Sequence, residues 1–263
     1  HNGNRQDPGY NHNLYLGGTS VTLRFCEVHH SLTGHNLKSR AHYTRVAWSY
    51  IHHSANREFD LVDSRATARP GSHAVLLGNV IVKDPACRGN RAVIHFGQDG
   101  GRAHDGTLYL VHNTIVTPFI SPVIDLSTPK AKAVLVGNIL DDAGRGQGNQ
   151  VPLRARAGGE ASAVRAHHNW FGAGFTRGLP EGTSNHVARR GVRPPFAAPA
   201  KHDYRLDADQ AHLTAAGSDP DKLELPPFPG RKTTPEPLAW AYRHPAGRQR
   251  SRPIVARSGA RNA

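Results

Sequence analysis

Six segments of the chain carry one apolar template. Each is anchored on a residue of an apolar stretch: Cys26, Ser49, Asn79, Asn113, Asn138 and Asn169. Three positions earlier stand Leu23, Val46, Leu76, Leu110, Leu135 and Ala166; two positions later stand Val28, Ile51, Ile81, Ile115, Leu140 and Phe171. The anchors are 23, 30, 34, 25 and 31 residues apart, the variable spacing of a repeat with loops inserted into it. The first two units match most closely. His12-Asn13-Leu14 falls on His35-Asn36-Leu37, and His29-His30 falls on His52-His53. A unit this short cannot bury its apolar side alone, so the units must stack and share one thin, continuous core.

Between anchors lies a second short stretch in each unit. These are 13–16, 36–39, 59–62, 93–96, 123–126 and 151–154, each alternating over a few residues, which is the pattern of a strand. No window of twelve or more residues follows a helical period. The chain therefore reads as all-β, built of stacked parallel strands. Stacking also explains the four Asn anchors. At the strand spacing of ~4.8 Å an amide can donate to and accept from the amide above and below it.

The texture changes after residue 172. Twelve of the 19 prolines lie in residues 176–263 and the apolar period fades. The expected organisation is parallel coils over 1–172, a C-terminal cap and wall-packing segment over 173–247, and a disordered basic tail over 248–263. Lys201-His202-Asp203-Tyr204-Arg205-Leu206 is expected to form a closing strand, and residues 238–245 to pack an aromatic pair along the wall.

The motifs in 1–172 resemble those of right-handed parallel β-helix proteins of the pectate-lyase-like superfamily. Asn13-Leu14-Tyr15-Leu16-Gly17, Gly34-His35-Asn36-Leu37-Lys38-Ser39-Arg40-Ala41, Gly78-Asn79-Val80-Ile81 and Tyr109-Leu110-Val111-His112-Asn113-Thr114-Ile115-Val116 carry the likeness, which is closest to secreted bacterial members. The resemblance implies a right-handed parallel β-helix, a secreted or periplasmic location, and a missing N-terminal part. It fixes fold better than reaction, because such folds carry lyases, hydrolases, epimerases and binding proteins.

Alternation sorts the wall. With Leu14, Leu37, Leu61, Ile94, Ile124 and Leu153 inward, the outward column reads Tyr15, Lys38, Asp60 (or Val62), His95, Asp125 and Arg154, with Arg40 beside Lys38. Aromatic faces hold sugar rings and cations hold carboxylates. Lys38-Ser39 resembles the Lys-Ser coil of alginate and chondroitin-type lyases, which implies Lys38 as the base of a β-elimination. A base Lys must be largely neutral; Arg40 would favour that, and Asp60 one coil on would oppose it. The acidic calcium ligands of those lyases are not evident, since Ser31 and Thr33 stand in their place.

The expected catalytic set is Lys38, Arg40, His35 and His12, and the expected substrate-binding set is Tyr15, Asp60, Asp63, Glu58, His95 and Asp125. For each there is a plainer alternative: Lys38 as a wall lysine paired with Asp60, His12 and His35 as turn residues bonding backbone across coils, and the acids as surface charge. Paired carboxylates such as Asp60 and Asp63 would instead suit glycoside hydrolysis. His29, His30, His52 and His53 are repeated turn residues or, alternatively, a transition-metal cluster. No metal or cofactor is assigned, with calcium left open. Gly97-Gln98-Asp99-Gly100-Gly101 is a loop between strands.

The formal charge of +13 suits an anionic partner. The excess is spread out, 18 Lys and Arg against 12 acids in 1–175 and 15 against 8 in 176–263, and no nucleic-acid motif is present. The expected partner is an anionic polysaccharide, with no nucleic acid, no membrane and a monomeric chain. No apolar run approaches the ~20 residues of a membrane span. The favoured function is a polysaccharide lyase cleaving a uronate polymer; the alternative is a non-catalytic carbohydrate-binding or adhesin-like protein.

Overall fold

The computed structural model describes residues 6–7, 9–99, 104–119, 122–145, 151–155, 163–194, 196–206 and 225–226. Each coil contributes three strands. The first coil holds β1 (Leu14–Leu16), β2 (Ser20–Arg24) and β3 (Glu27–His29), and the second holds β4 (Leu37–Ser39), β5 (Tyr43–Ala47) and β6 (Tyr50–His52). The third holds β7 (Phe59–Val62), β8 (Ala74–Leu77) and β9 (Val80–Val82), and the fourth β10 (Ile94–Gly97), β11 (Thr107–Val111) and β12 (Thr114–Val116). The fifth holds β13 (Ile124–Leu126), β14 (Lys132–Val136) and β15 (Ile139–Asp141), and the sixth β16 (Leu153–Ala155), β17 (Val164–His167) and β18 (Trp170–Phe171).

Corresponding strands pair in parallel to form three sheets. The first runs β1-β4-β7-β10-β13-β16, the second β2-β5-β8-β11-β14-β17, and the third β3-β6-β9-β12-β15-β18 followed by β19 (His186–Val187). This is the expected all-β parallel β-helix. Leu37, Val46, Ile51, Leu76, Ile81 and Ile94 are among the residues that fill its interior.

The sequence shows two apolar stretches per coil where the structure has three strands. The second stretch is broken at the residue before the anchor, which adopts a left-handed backbone: Phe25 (φ 54°), Trp48 (50°), Gly78 (62°), His112 (53°), Gly137 (64°) and His168 (57°). One left-handed residue turns the chain sharply enough to begin a new sheet. Only two of the six are Gly, so the usual turn signal is absent from most coils.

The anchors form the expected ladder. Asn79 donates its backbone N–H and its Nδ2 to Asn113 Oδ1, both at 3.0 Å, and Nδ2 also reaches Val46 O at 2.9 Å. Asn113 repeats this on Asn138, and Asn138 on Asn169. A further rung follows at Asn185, so the stacking continues past residue 172. Ser49 and Cys26 extend the column upward with weaker groups. A second, shorter ladder runs along the first sheet. Asn13 Nδ2 donates to Asn36 Oδ1 at 2.8 Å, Asn36 Nδ2 donates to Glu58, and Lys83 Nζ lies 3.7 Å from Glu58.

The C-terminal hairpin of β20 (Phe196–Ala198) and β21 (Asp203–Leu206) packs against the outside of the third sheet. Phe196, Tyr204 and Leu206 cover Val82, Val116, Ile139 and Trp170. The closing strand thus covers a wall, because the outer face of that sheet is apolar. Leu225 does the same for Tyr43, Val75, Leu77 and Val111 on the second sheet, where Tyr43 Oη donates to Pro226 O at 3.2 Å. The aromatic stretch 238–245 and the tail 248–263 lie outside the described residues. Cys26 and Cys87 are free thiols. No helix of the described residues is long and apolar enough to cross a membrane.

Substituting Asn113→Ala removes four side-chain hydrogen bonds and orphans buried groups on Asn79 and Leu76. Each buried polar group left unpaired costs about 1–3 kcal/mol, so a loss of about 3–5 kcal/mol is expected. Urea unfolding followed by circular dichroism reads it as a lower midpoint at unchanged slope.

Candidate functional site

The outward column on the first sheet is built by strand register. Tyr15, Lys38, Asp60, His95, Asp125 and Arg154 pair in direct succession through β1, β4, β7, β10, β13 and β16. At the centre is Asp60, only 1% exposed. Its Oδ2 lies 3.0 Å from Lys38 Nζ and 3.3 Å from His35 Nε2; its Oδ1 lies 2.9 Å from Arg57 Nη1 and 2.8 Å from His95 Nδ1. Burial pushes the Asp60 carboxyl up, but the hydrogen bonds from His35 and His95 outweigh it and hold Asp60 well below the usual carboxylate range. A carboxylate with four donors is a fixed negative centre around which the site is assembled.

His35 and His12 are not free bases. His35 Nδ1 accepts the N–H of Arg57 at 3.1 Å, which places its proton on Nε2 toward Asp60. His12 Nδ1 accepts the N–H of His35 at 3.0 Å, and the two rings stack 4.8 Å apart. His73 and His167 do the same for Thr107 and Thr183 in later coils. These are turn residues bonding backbone across coils. Burial, then the His35 and Lys38 charges, push His12 down to about 4; burial lowers His35 despite Asp60.

Lys38 is held charged, against the expectation of a neutral base. Burial lowers its pKa, but Asp60 and Asp99 together more than offset this and raise it. The physical reason is register: Asp60 is the direct pairing partner of Lys38. Asp99 Oδ2 lies 2.7 Å from Lys38 Nζ and also bonds the Arg40 guanidinium. Arg40 Nε donates to Tyr15 Oη at 2.8 Å, and the Lys38 and Arg40 cations each lie 5.9 Å from the Tyr15 ring centre. Tyr15 is 60% exposed. The solvent edge of the site is therefore Tyr15, Arg40 and Asp99, with the tip of Lys38 behind them.

The other expected substrate-binding residues are turned away from solvent. Glu58 is fully buried in the second ladder, where burial pushes its carboxyl up to about 7 against the pull of Lys83. Asp63 is buried and accepts the N–H of Asp99. Asp125 is buried under a two-point pairing with Arg154, at 3.1 and 2.9 Å. His95 is buried between Asp60 and Ser127, whose Oγ lies 2.6 Å from His95 Nε2. The order Ser127–His95–Asp60 is that of a nucleophile triad. Ser127, however, is only 2% exposed, and its Oγ receives the N–H of Gln98 at 2.6 Å. The three residues tie a loop to the hub.

Sequence reasoning missed Arg57, Ser127 and Asp99. Arg57 could have been found three positions before Asp60, beside the strand that carries it. Asp99 could not: it stands 61 residues after Lys38, in a loop whose path no local pattern encodes.

The histidine pairs stack as columns, His29 on His52 at 5.1 Å and His30 on His53 at 5.2 Å, and His202 of the hairpin meets His53 at 5.3 Å. Among the described residues no group of three or more His, Cys, Asp and Glu is arranged to hold a metal ion. The site carboxylates Asp60 and Asp99 are each paired with Lys38. No family model, curated protein or solved structure matches the chain.

Asp60→Asn puts an amide NH₂ among four donors and leaves Lys38 without its buried counter-charge. Stability should fall by about 3–5 kcal/mol in equilibrium unfolding, the usual cost of breaking a buried ionic cluster.

Acid should destabilise the fold by forcing protons onto buried histidines. His12, His52 and His104 are each pushed by burial from 6.5 to about 4. A lowered folded pKa contributes stability above the unfolded value and loses it as pH falls through the folded one. Glu58, raised from 4.5 to about 7, acts oppositely and loses its contribution as pH rises through about 7. Burial also lowers His35, His53, His73 and His112 and raises Asp141, so seven histidines stand against two carboxyls and urea midpoints should fall between pH 6.5 and pH 4. His104→Gln should flatten that slope.

Proposed function

We propose that this protein is a carbohydrate-active β-helix of the pectate-lyase-like kind, acting on a uronate-containing polysaccharide. One observation carries the reading: Lys38 and Arg40 converge on a single carboxylate oxygen, that of Asp99, beside the exposed ring of Tyr15. A sugar carboxylate placed there would meet the same two cations, and its ring the face of Tyr15.

β-Elimination is the reaction this arrangement supports. Lys38 and Arg40 neutralise the carboxylate and stabilise the enolate that forms as the C5 proton leaves. Tyr15 is the exposed proton-transfer group, since Lys38 is charged and the basic nitrogens of His12 and His35 are occupied. One lone pair of its oxygen accepts the Arg40 Nε–H; the other, unlike the single lone pair of an imidazole nitrogen, is open and receives the C5 proton in the same step as the phenol's own proton passes to the departing O4. The C4–O4 bond breaks and a C4=C5 double bond forms. Asp60 acts through others, holding Lys38 in place. The hydrolytic alternative lacks a water-facing carboxylate pair, because Asp60 and Asp63 are each only 1% exposed.

A second reading, a non-catalytic polysaccharide-binding protein, is favoured by one fact: Asp60 and Lys38 are so fully paired that neither is available to move a proton. One experiment separates the two. The chain is incubated with polygalacturonate, alginate and glucuronate-containing glycosaminoglycans, and the absorbance of unsaturated uronide is followed alongside retention on the immobilised polymers. Product that disappears in Tyr15→Phe while binding persists supports the lyase. Binding without product supports the binding protein. Neither binding nor product from any polymer overturns both.

A further inference from the structure

We infer that Asp99 is a built-in competitor for the substrate carboxylate, and that it makes the site selective for polymeric over single uronates. The inference rests on the reading of Lys38 and Arg40 as the carboxylate subsite.

Asp99 belongs to no strand and to neither ladder. It reaches Lys38 and Arg40 from a loop that leaves β10, two coils away in the stack. One carboxylate oxygen takes both cations, with Lys38 Nζ at 2.7 Å. This is the contact that a free carboxylate would seek, already made from within the chain.

Among the described residues of the loop, Gln98 and Asp99 each make one backbone hydrogen bond that holds this position, and both trace back to the stacked coils. The N–H of Gln98 donates to Ser127 Oγ at 2.6 Å. Ser127 Oγ in turn lies 2.6 Å from His95 Nε2, and His95 Nδ1 lies 2.8 Å from Asp60 Oδ1. The assignment is self-consistent: Nδ1–H of His95 donates to Asp60, its Nε2 accepts from Ser127, and the Ser127 oxygen accepts from Gln98. The N–H of Asp99 itself donates to Asp63 Oδ1. At Gly97 the path has φ 144°, and a Cβ there would stand 2.5 Å from Ser127 Oγ, so the loop can close onto Ser127 only through glycine. The side chain of Asp99 remains 39% exposed, so it sits at the mouth of the site and can be displaced outward.

A tethered carboxylate acts at an effective concentration of about millimolar or more. A single uronate, offering one carboxylate, competes poorly with it. A polymer that also stacks on Tyr15 and contacts neighbouring coils brings the additional contacts needed to displace it. Apparent affinity is the intrinsic affinity scaled by the fraction of molecules with the subsite open.

The test uses the full chain and its Asp99→Asn and Ser127→Ala variants, with galacturonate and glucuronate monosaccharides and the polymers of the preceding section as probes, by isothermal titration calorimetry. Asn keeps the shape and the backbone bond to Asp63 and removes the competing charge. Ser127→Ala leaves the charge and loosens the loop. The expected result is no measurable monosaccharide binding by the native chain, measurable binding by Asp99→Asn, and polymer affinity raised about tenfold in Asp99→Asn with a smaller rise in Ser127→Ala. If the native chain binds polymer and Asp99→Asn binds it equally or more weakly, Asp99 is a wall residue that positions Lys38; the inference falls and the carboxylate subsite stands. If neither the native chain nor Asp99→Asn binds any uronate, the subsite itself falls.

Discussion

Vertical stacking is the constraint on which everything else in this molecule depends. Each coil lies one strand spacing from the next, so every side chain meets its counterpart above and below. Apolar residues satisfy that condition by packing. Polar ones must find partners in the same direction, and the Asn79–Asn113–Asn138–Asn169–Asn185 column does so with both its amide groups and its backbone N–H groups. The ladder is thus a condition for burying a turn, since a buried backbone donor without a partner is costly.

The same rule produces the candidate site. Register brings a cation, a carboxylate and a histidine directly onto one another as Lys38, Asp60 and His95. Stacked like charges would repel; alternating ones attract, and in a buried setting they attract strongly. The arrangement that makes Asp60 a firm centre also keeps Lys38 charged. In the reaction we propose, proton handling therefore falls to Tyr15, and Lys38 and Arg40 serve as the carboxylate clamp. The turn histidines follow the same logic. A ring nitrogen that satisfies the next coil's N–H cannot also serve as a base.

Loops supply what stacking cannot. The hairpin at 196–206 and Leu225 cover apolar outer faces, which the coils alone would leave wet. The Gly97–Asp99 turn delivers a carboxylate to a clamp formed two coils away. Its position is enforced by Ser127 and Asp63, which are themselves fixed by the coils.

The sequence by itself determined the coils. Twelve apolar positions around six anchors, and four asparagines in one column, are local and periodic, and periodic burial leaves a direct trace in residue type. It also determined most of what stacks, because alternation settles inside from outside: the column from Tyr15 to Arg154 could be written down except in the third coil, where only the register of β7 chose Asp60 over Val62. Only the tertiary structure decided what those residues are able to do. Exposure, charge state and hydrogen-bond direction depend on neighbours far apart in the chain: Asp99 on Lys38, Ser127 on His95, Lys83 on Glu58. Those distances are set by loops of irregular length, which carry no period to be read. The three-sheet cross-section was likewise hidden, because the left-handed corner is held by Phe25, Trp48, His112 and His168 as readily as by glycine once the ladder fixes the residue that follows.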